Sequence, residues 1–260
     1  MKPRWIETRR GVRCRVFEGG GGAPLVFLHG AGGLLSDNPF LDGLAQRYRV
    51  LAPEWPGYGE SAGEDVLEDM LDFALHGWDV LEALGLDRPH VVGHSMGGMI
   101  AAEMACLAPR SVGKLVLVAP AGLWLDTHPI PDLYALQPHE FARVLFHDPT
   151  RGAALLTGGV DPGDAAAVKQ FYIAHTRRLA MAGKILFPIP NRGVAKRLYR
   201  VQAETLIVWG AEDALIAPAY AERWSSLIAG AKVSTIGKAG HMLPYEQPEA
   251  FTAAVGTFLS

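Results

Sequence analysis

The chain has 260 residues, of which 49% are apolar and 20% charged, a composition typical of a globular protein and not of a disordered one. A formal net charge of −3 gives no basic stripe for nucleic acid. No apolar run approaches the ~20 residues needed to span a bilayer.

The N-terminus is charged and has no apolar segment of the signal-peptide type. The two cysteines, Cys14 and Cys106, lie far apart in the sequence. We therefore expect free thiols in a cytoplasmic protein. No Cys/His cluster has metal-ligand spacing, so we expect no metal and no cofactor.

Apolar runs alternate with helical patterns over the first 120 residues, which predicts a mostly parallel sheet covered on both faces. The predicted strands are 12–17, 23–28, 48–52, 90–92 and 114–119. The predicted helices in this part are 66–84 and 98–107.

The alternation stops after Pro120, where prolines separate helical patterns and no β-rich run occurs. The clearest of these helical patterns are 133–146 and 164–182. Strand and helix patterns then resume at 205–209, 218–227, 232–236 and 248–259. We therefore expect a core of residues 1–120 and 201–260, with residues 121–200 inserted as a helical cap.

A glycine-rich turn joins the strand that ends at Val92 to the next predicted helix. It reads Gly93-His-Ser95-Met-Gly97, which has the spacing G-x-S-x-G. Such a turn between a strand and a helix holds its serine in a strained backbone conformation, with the hydroxyl exposed above the sheet. The pattern predicts that Ser95 is a nucleophile.

A serine hydroxyl needs a base within hydrogen-bond reach and a third group that orients the base. Of the nine histidines, His241 alone lies in a loop at the carboxyl end of a late predicted strand. Asp213 follows the preceding strand, and the carboxyl ends of such strands are where functional groups gather. We predict a triad of Ser95, Asp213 and His241. Glu212 and Asp126 are alternatives for the acid.

Two N–H groups should face the negative charge that develops on the substrate oxygen. One is expected from Met96, the residue after the nucleophile. The other is expected from the loop His29-Gly-Ala-Gly-Gly33, with Ala31 as the favoured donor and Gly30 or Gly32 as alternatives.

Together these motifs resemble those of the α/β-hydrolase superfamily over nearly the whole chain. The resemblance implies a doubly wound, eight-stranded type of sheet, mostly parallel, with the helical cap inserted after the sixth strand. It also implies the chain order Ser95, Asp213, His241. The matching segments are His29-Gly30, the loop Pro53–Ser61, Gly93–Gly98, Trp209–Asp213 and Gly240-His241.

The resemblance also narrows the reaction. Epoxide hydrolases and haloalkane dehalogenases of this fold use an aspartate nucleophile, where this chain has Ser95. Hydrolases that cleave carbon–carbon bonds usually carry Trp after the catalytic His, where this chain has Met242. A carboxylesterase is therefore favoured. Alternatives are a carbon–carbon hydrolase, a cofactor-free perhydrolase and, in another class, a slow-turnover ligand receptor.

The expected partner is a small, largely apolar ester, bound by a monomer or homodimer that contacts neither nucleic acid nor membrane. Three basic residues of the predicted cap, Arg177, Arg178 and Lys184, are expected to face solvent, with contact to an acidic substrate as the alternative. The residues predicted to contact the substrate are Gly30, Gly32, Trp124, Phe146, Phe171, Phe187 and Met242.

Overall fold

The computed structural model describes residues 1–189 and 191–260. Within them, one sheet contains eight strands. In chain order they are β1 (Lys2–Glu7), β2 (Arg13–Gly19), β3 (Pro24–Leu28), β4 (Arg49–Pro53), β5 (His90–His94), β6 (Lys114–Val118), β7 (Glu204–Gly210) and β8 (Lys232–Ile236). Their order across the sheet is β1-β2-β4-β3-β5-β6-β7-β8.

The sheet is parallel from β4 to β8 and antiparallel at one edge. β1 pairs antiparallel with β2, and β2 pairs antiparallel with β4. Strands β3, β5 and β6 each bury four consecutive residues, because helices cover both faces of a parallel sheet. The predicted α/β fold class, with a mostly parallel sheet of eight strands, is confirmed.

Nine α-helices are present in the described residues. They are α1 (Pro39–Ala45), α2 (Met70–Ala83), α3 (Met96–Leu107), α4 (Phe141–Leu145), α5 (Pro149–Thr157), α6 (Ala165–Leu186), α7 (Ala219–Leu227), α8 (Leu243–Glu246) and α9 (Pro248–Leu259). Helices α2, α5 and α6 begin after Asp69, Asp148 and Asp164, whose carboxylates accept backbone N–H bonds from the first turn. None of the helices in residues 1–189 and 191–260 combines the length and apolar character of a membrane span.

The predicted helix 133–146 is wrong over most of its length, because only Phe141–Leu145 is helical. Side chains compete with the helix for its backbone donors upstream of α4. The Asp132 carboxylate accepts the N–H of Tyr134, and Glu140 accepts that of Gln137. Pro138 also lacks the N–H that a continuous helix would need.

Three α-helices, α4 to α6, lie between β6 and β7 in the stretch predicted as the cap, and the described residues of that stretch contain no strand. Pro190 lies inside the predicted cap but outside the described residues. The division into core and cap stays a prediction. What matters for the site is that the carboxyl ends of β5, β7 and β8 share one edge of the sheet, with α6 above it.

Candidate active site

Ser95 occupies the tight turn between β5 and α3, with a backbone φ of +54°. That conformation is strained for any residue with a side chain. A Cβ on Gly97 would lie 2.1 Å from the carbonyl oxygen of Leu28, and one on Gly93 would lie 2.4 Å from that of Gly97. Only glycine fits at both positions, so the turn can be this tight and Ser95 is lifted above the sheet.

Three side chains from three loops form a continuous chain of hydrogen bonds. The Oγ of Ser95 lies 2.8 Å from Nε2 of His241, whose Nδ1 lies 2.9 Å from Oδ2 of Asp213. The other carboxylate oxygen accepts the backbone N–H groups of Leu215 and Ile216, both at 2.9 Å. These bonds fix the Asp213 carboxylate, so its second oxygen faces the histidine.

The alternative acids are directed elsewhere. The carboxylate of Glu212 accepts the N–H of Ala239 at 3.0 Å. That of Asp126 accepts the indole N–H of Trp124 at 2.9 Å. Asp213 is therefore the carboxylate that contacts His241.

His94, the residue before the nucleophile, holds the backbone of the His241 loop. Its Nε2–H donates to the carbonyl oxygen of His241 at 2.9 Å. Burial is the main cause that lowers the pKa of His94 to about 3, and the neighbouring His241 adds to this effect. The ring is therefore neutral at physiological pH, and its one N–H is committed to this bond.

Glu246, in the short helix α8, joins the His241 loop to the segment between α4 and α5. Its carboxylate accepts the N–H of Gly240 at 2.7 Å and the N–H of His147, between α4 and α5, also at 2.7 Å. Burial raises the pKa of Glu246, an effect that these N–H donors oppose. One carboxylate thus satisfies backbone groups of two segments that meet above the sheet.

We predict that Glu246→Gln lowers the free energy of unfolding by about 1.5–3 kcal/mol, because an amide can accept at only one of these two positions. Urea unfolding at neutral pH measures the change. Glu249→Gln, at an exposed position of α9, is the matched control and should stay within ~0.5 kcal/mol of the unmodified protein. Equal midpoints for the two variants would contradict this role.

The loop after β3 is held against Ser95 by His29. The Nδ1–H of His29 donates to the carbonyl oxygen of Gly30 at 2.8 Å, and its Nε2 accepts the N–H of Trp55 at 3.2 Å. Burial lowers the pKa of His29 to about 4, which keeps it neutral. A Cβ on Gly30 would lie 3.2 Å from that of Ser95, so the loop passes close to the nucleophile.

The predicted oxyanion donors lie where the loop and α3 meet. Met96 is the first residue of α3, and the first N–H groups of a helix have no partner within it. Within the described residues, the N–H groups of Met96, Ala31 and Gly32 donate to no protein acceptor. Ala31 and Gly32 therefore both stay candidates for the second donor.

Ser95 and His241 border a cavity of about 360 Å³, here called the large cavity. Its walls come from the loop after β3, the stretch before α4, and helices α4, α5 and α6, and they are mostly apolar. Four of the residues predicted to contact substrate line it: Gly30, Gly32, Phe171 and Met242.

The other three predicted contacts are corrected by the structure. Phe146 is buried against Gly152, where it fills the junction of α4 and α5. Phe187 is 54% exposed and packs on the ring of Tyr134. Trp124 is half-buried and holds Asp126. None of these three aromatic residues lines the large cavity.

Arg178 departs from its expected solvent-facing position, because it lines the large cavity. Its guanidinium donates to the carbonyl oxygens of Gly32 and Ala174, at 3.0 and 3.2 Å. No carboxylate forms a salt bridge with it in the part of the chain that the structure describes, whereas Arg177 pairs with Glu64 at 2.7 Å. Burial lowers the pKa of Arg178.

A sequence signal for this placement exists. Phe171, His175 and Arg178 are spaced i, i+4 and i+7, so they share one face of α6. All three line the large cavity. Phe171 is one of the predicted substrate contacts. Applying that prediction to the whole face of α6 would therefore have placed Arg178 in the cavity as well.

A sequence profile described as "Alpha/beta hydrolase family" matches residues 25–254. The dihydrolipoyllysine-residue acetyltransferase component of the acetoin cleaving system of Cupriavidus necator is 31% identical over 267 residues. That match covers 94% of this chain, which spans only 65% of the relative's length. The 2-hydroxy-6-oxo-6-phenylhexa-2,4-dienoate hydrolase of Burkholderia cepacia is 26% identical over 269 residues, covering 95% of this chain and 91% of that protein.

Among solved structures, the meta-cleavage product hydrolase of Pseudomonas fluorescens IP01 superposes with a TM-score of 0.79 at 22% identity. The match covers 98% of this chain and 97% of that one. At this identity the likeness shows the fold alone.

Proposed function

The chain belongs to the alpha/beta hydrolase family, and from this premise we propose that it cleaves carboxylic esters of small, largely apolar molecules through an acyl-enzyme on Ser95. The observation that carries the proposal is the 2.8 Å contact between Ser95 Oγ and His241 Nε2, beside an apolar cavity. A serine hydroxyl becomes a useful nucleophile when a base can remove its proton as it attacks.

In the first half-reaction, Ser95 Oγ forms a bond to the ester carbonyl carbon while His241 Nε2 takes the hydroxyl proton. The imidazolium that results is stabilised by the Asp213 carboxylate at 2.9 Å. The tetrahedral intermediate collapses, the bond to the alcohol oxygen breaks, and His241 gives its proton to that oxygen. Water then attacks the acyl-enzyme, again with His241 as base, and releases the acid.

The developing oxyanion would be held by the Met96 N–H and by that of Ala31 or Gly32. These groups are fixed by a helix terminus and by the His29-braced loop, so they need not reorganise when charge develops. Loss of one such donor typically costs roughly 10²–10³ in kcat. Because both are backbone groups, their contribution follows from the turn geometry and not from any side chain.

Carbon–carbon bond hydrolysis is the second candidate, favoured by one observation. Arg178 pairs with no carboxylate in the described part of the chain, and it places its positive charge in the large cavity, where the charge suits an acidic substrate. The similar Burkholderia cepacia protein is named for hydrolysis of an oxo-dienoate, a compound of this kind. The same triad could serve this reaction, because it too involves a carbonyl carbon and leaves an acyl group to be hydrolysed.

Parallel assays on purified protein test the two candidates. We expect a burst of p-nitrophenol from p-nitrophenyl acetate and covalent labelling of Ser95 by diethyl p-nitrophenyl phosphate, located by peptide mass spectrometry. Turnover of a 2-hydroxy-6-oxohepta-2,4-dienoate with a higher kcat/KM than that of any ester tried would select the second candidate. Absence of both labelling and turnover would contradict the proposed serine chemistry.

A further inference from the structure

Ser95 borders a second cavity besides the large one. This small cavity has a volume of about 40 Å³, against about 360 Å³ for the large cavity. Four residues line both of them: Ala31, Ser95, Leu133 and Leu215. The nucleophile therefore stands where two compartments of very different size meet, and a carbonyl carbon bonded to Ser95 Oγ can send one substituent into each.

The position of His241 determines which substituent of the carbonyl carbon enters which cavity. His241 lines the large cavity and is absent from the walls of the small one, within the described residues. Its Nε2 must deliver a proton to the departing atom, so that atom has to lie within hydrogen-bond reach of the ring. The leaving group is thereby directed to the large cavity, and the acyl substituent to the small one.

The small cavity limits the acyl group to a few atoms. A site for one water needs roughly 10–15 Å³ on this scale, so the small cavity has room for about three non-hydrogen atoms. Its walls are mainly apolar and include Ala121, Ile130, Leu186 and Ile216. Ile216 is almost fully buried, so this wall cannot easily yield to a longer chain.

Among the described residues, one charged side chain lines the small cavity, that of Arg192, whose Nη1 donates to the carbonyl oxygen of Pro188 at 3.2 Å. The large cavity holds Arg178 instead, together with His139 and His175. The large cavity offers a polar or acidic part of a substrate more room and more polar side chains, so such a part is better accommodated on the leaving-group side. The acyl side suits a plain alkyl group.

We propose that the preferred substrates combine a short acyl group, of acetyl to propionyl size, with a much larger and mainly apolar leaving group. This inference rests on the proposed serine chemistry and adds the orientation of the substrate to it. It holds for either bond, because in carbon–carbon cleavage the fragment retained on Ser95 is again the acyl group.

Two isomeric esters test the orientation. Hexyl acetate and ethyl hexanoate have the same atoms and similar carbonyl reactivity, but they carry the long chain on opposite sides of the carbonyl. We expect kcat/KM for hexyl acetate to exceed that for ethyl hexanoate by at least about tenfold, since one methylene too many in a tight apolar pocket costs roughly 10- to 200-fold. Acid release at constant pH measures both rates without a chromogenic group.

A pair of leucines on the same helix provides matched variants. Leu186 of α6 lines the small cavity, and Leu179 of α6 lines the large one. Leu186→Ala should reduce the preference for hexyl acetate by about fivefold or more, through a gain on ethyl hexanoate. Leu179→Ala changes the wall of the large cavity and not that of the small one, so it should not raise kcat/KM for ethyl hexanoate. Ile130→Ala, in the small-cavity wall but outside α6, is the second test should Leu186→Ala fail to fold.

The outcomes separate this inference from the function on which it rests. Equal or reversed preference in a protein whose Ser95 is labelled by diethyl p-nitrophenyl phosphate would overturn the orientation and leave the serine chemistry standing. Labelling of Ser95 without turnover of hexyl acetate would also overturn the proposed orientation. Absence of both labelling and turnover would refute the proposed function itself.

Discussion

Replacement of Ser95 by alanine is expected to lower kcat for p-nitrophenyl acetate by up to ~10⁶-fold, because the members of a triad act as a unit. The physical reason is that His241 has no hydroxyl to deprotonate once Oγ is gone. Attack must then come from a water molecule, and no acyl-enzyme can form on residue 95. Initial rates at saturating ester, with protein repurified on fresh resin, measure the loss.

The fold should survive this substitution. The Ser95 side chain makes no capping bond to α3, and alanine has no more difficulty than serine with a φ of +54°. Ser226→Ala, on the exposed face of α7, is the matched control and should keep full activity. If the folded Ser95→Ala protein kept more than about one hundredth of the activity, Ser95 would not be the nucleophile.

The features predicted well from the sequence are those that short-range physics determines. The elbow is one, because a strand, two obligatory glycines and a helix start leave Ser95 a single conformation. The final strand and helix are another, since apolar patterns bounded by turn residues fix Lys232–Ile236 and Pro248–Leu259. The positions of Asp213 and His241 could be predicted because each lies in the loop after a parallel strand, and side chains at the carboxyl edge of a parallel sheet lie near one another.

The features missed depend on contacts that are distant in the sequence. β1 buries only Ile6, so its pattern does not suggest a strand until β2 is there to pair with it. The stretch before α4 has helical periodicity, yet local side-chain bonds such as that from Asp132 override it. The size and apolar character of Phe187 predict a position in the cavity, whereas in the structure it packs on Tyr134 and is 54% exposed.

The cavity itself could not be predicted, because its volume is the space left between separately folded segments. Leu133 and Leu215 are 82 residues apart in the sequence, yet both line the large and the small cavity beside Ser95. No residue type specifies that arrangement. It follows from where α6 and the stretch before α4 come to rest on the sheet, and substrate selectivity depends on the same packing.

Asp213→Asn is expected to lower kcat by about 10⁴-fold without unfolding the protein. In the unmodified protein, Oδ1 accepts the N–H groups of Leu215 and Ile216 while Oδ2 faces Nδ1 of His241. The asparagine carbonyl can keep the first two bonds, which leaves its amide nitrogen facing the histidine. That nitrogen can only donate, so Nδ1 must become the acceptor and the ring proton moves to Nε2.

A protonated Nε2 can donate to the Ser95 oxygen but cannot take its proton, and the loss therefore falls on the first proton transfer. Steady-state kcat with p-nitrophenyl acetate measures it, and an unchanged urea midpoint would show that the two N–H bonds to residue 213 persist. Glu212→Gln and Asp126→Asn are the controls, because their carboxylates bond Ala239 and Trp124 and do not reach His241. Full activity in Asp213→Asn, with loss in either control, would transfer the role of the acid to that neighbour.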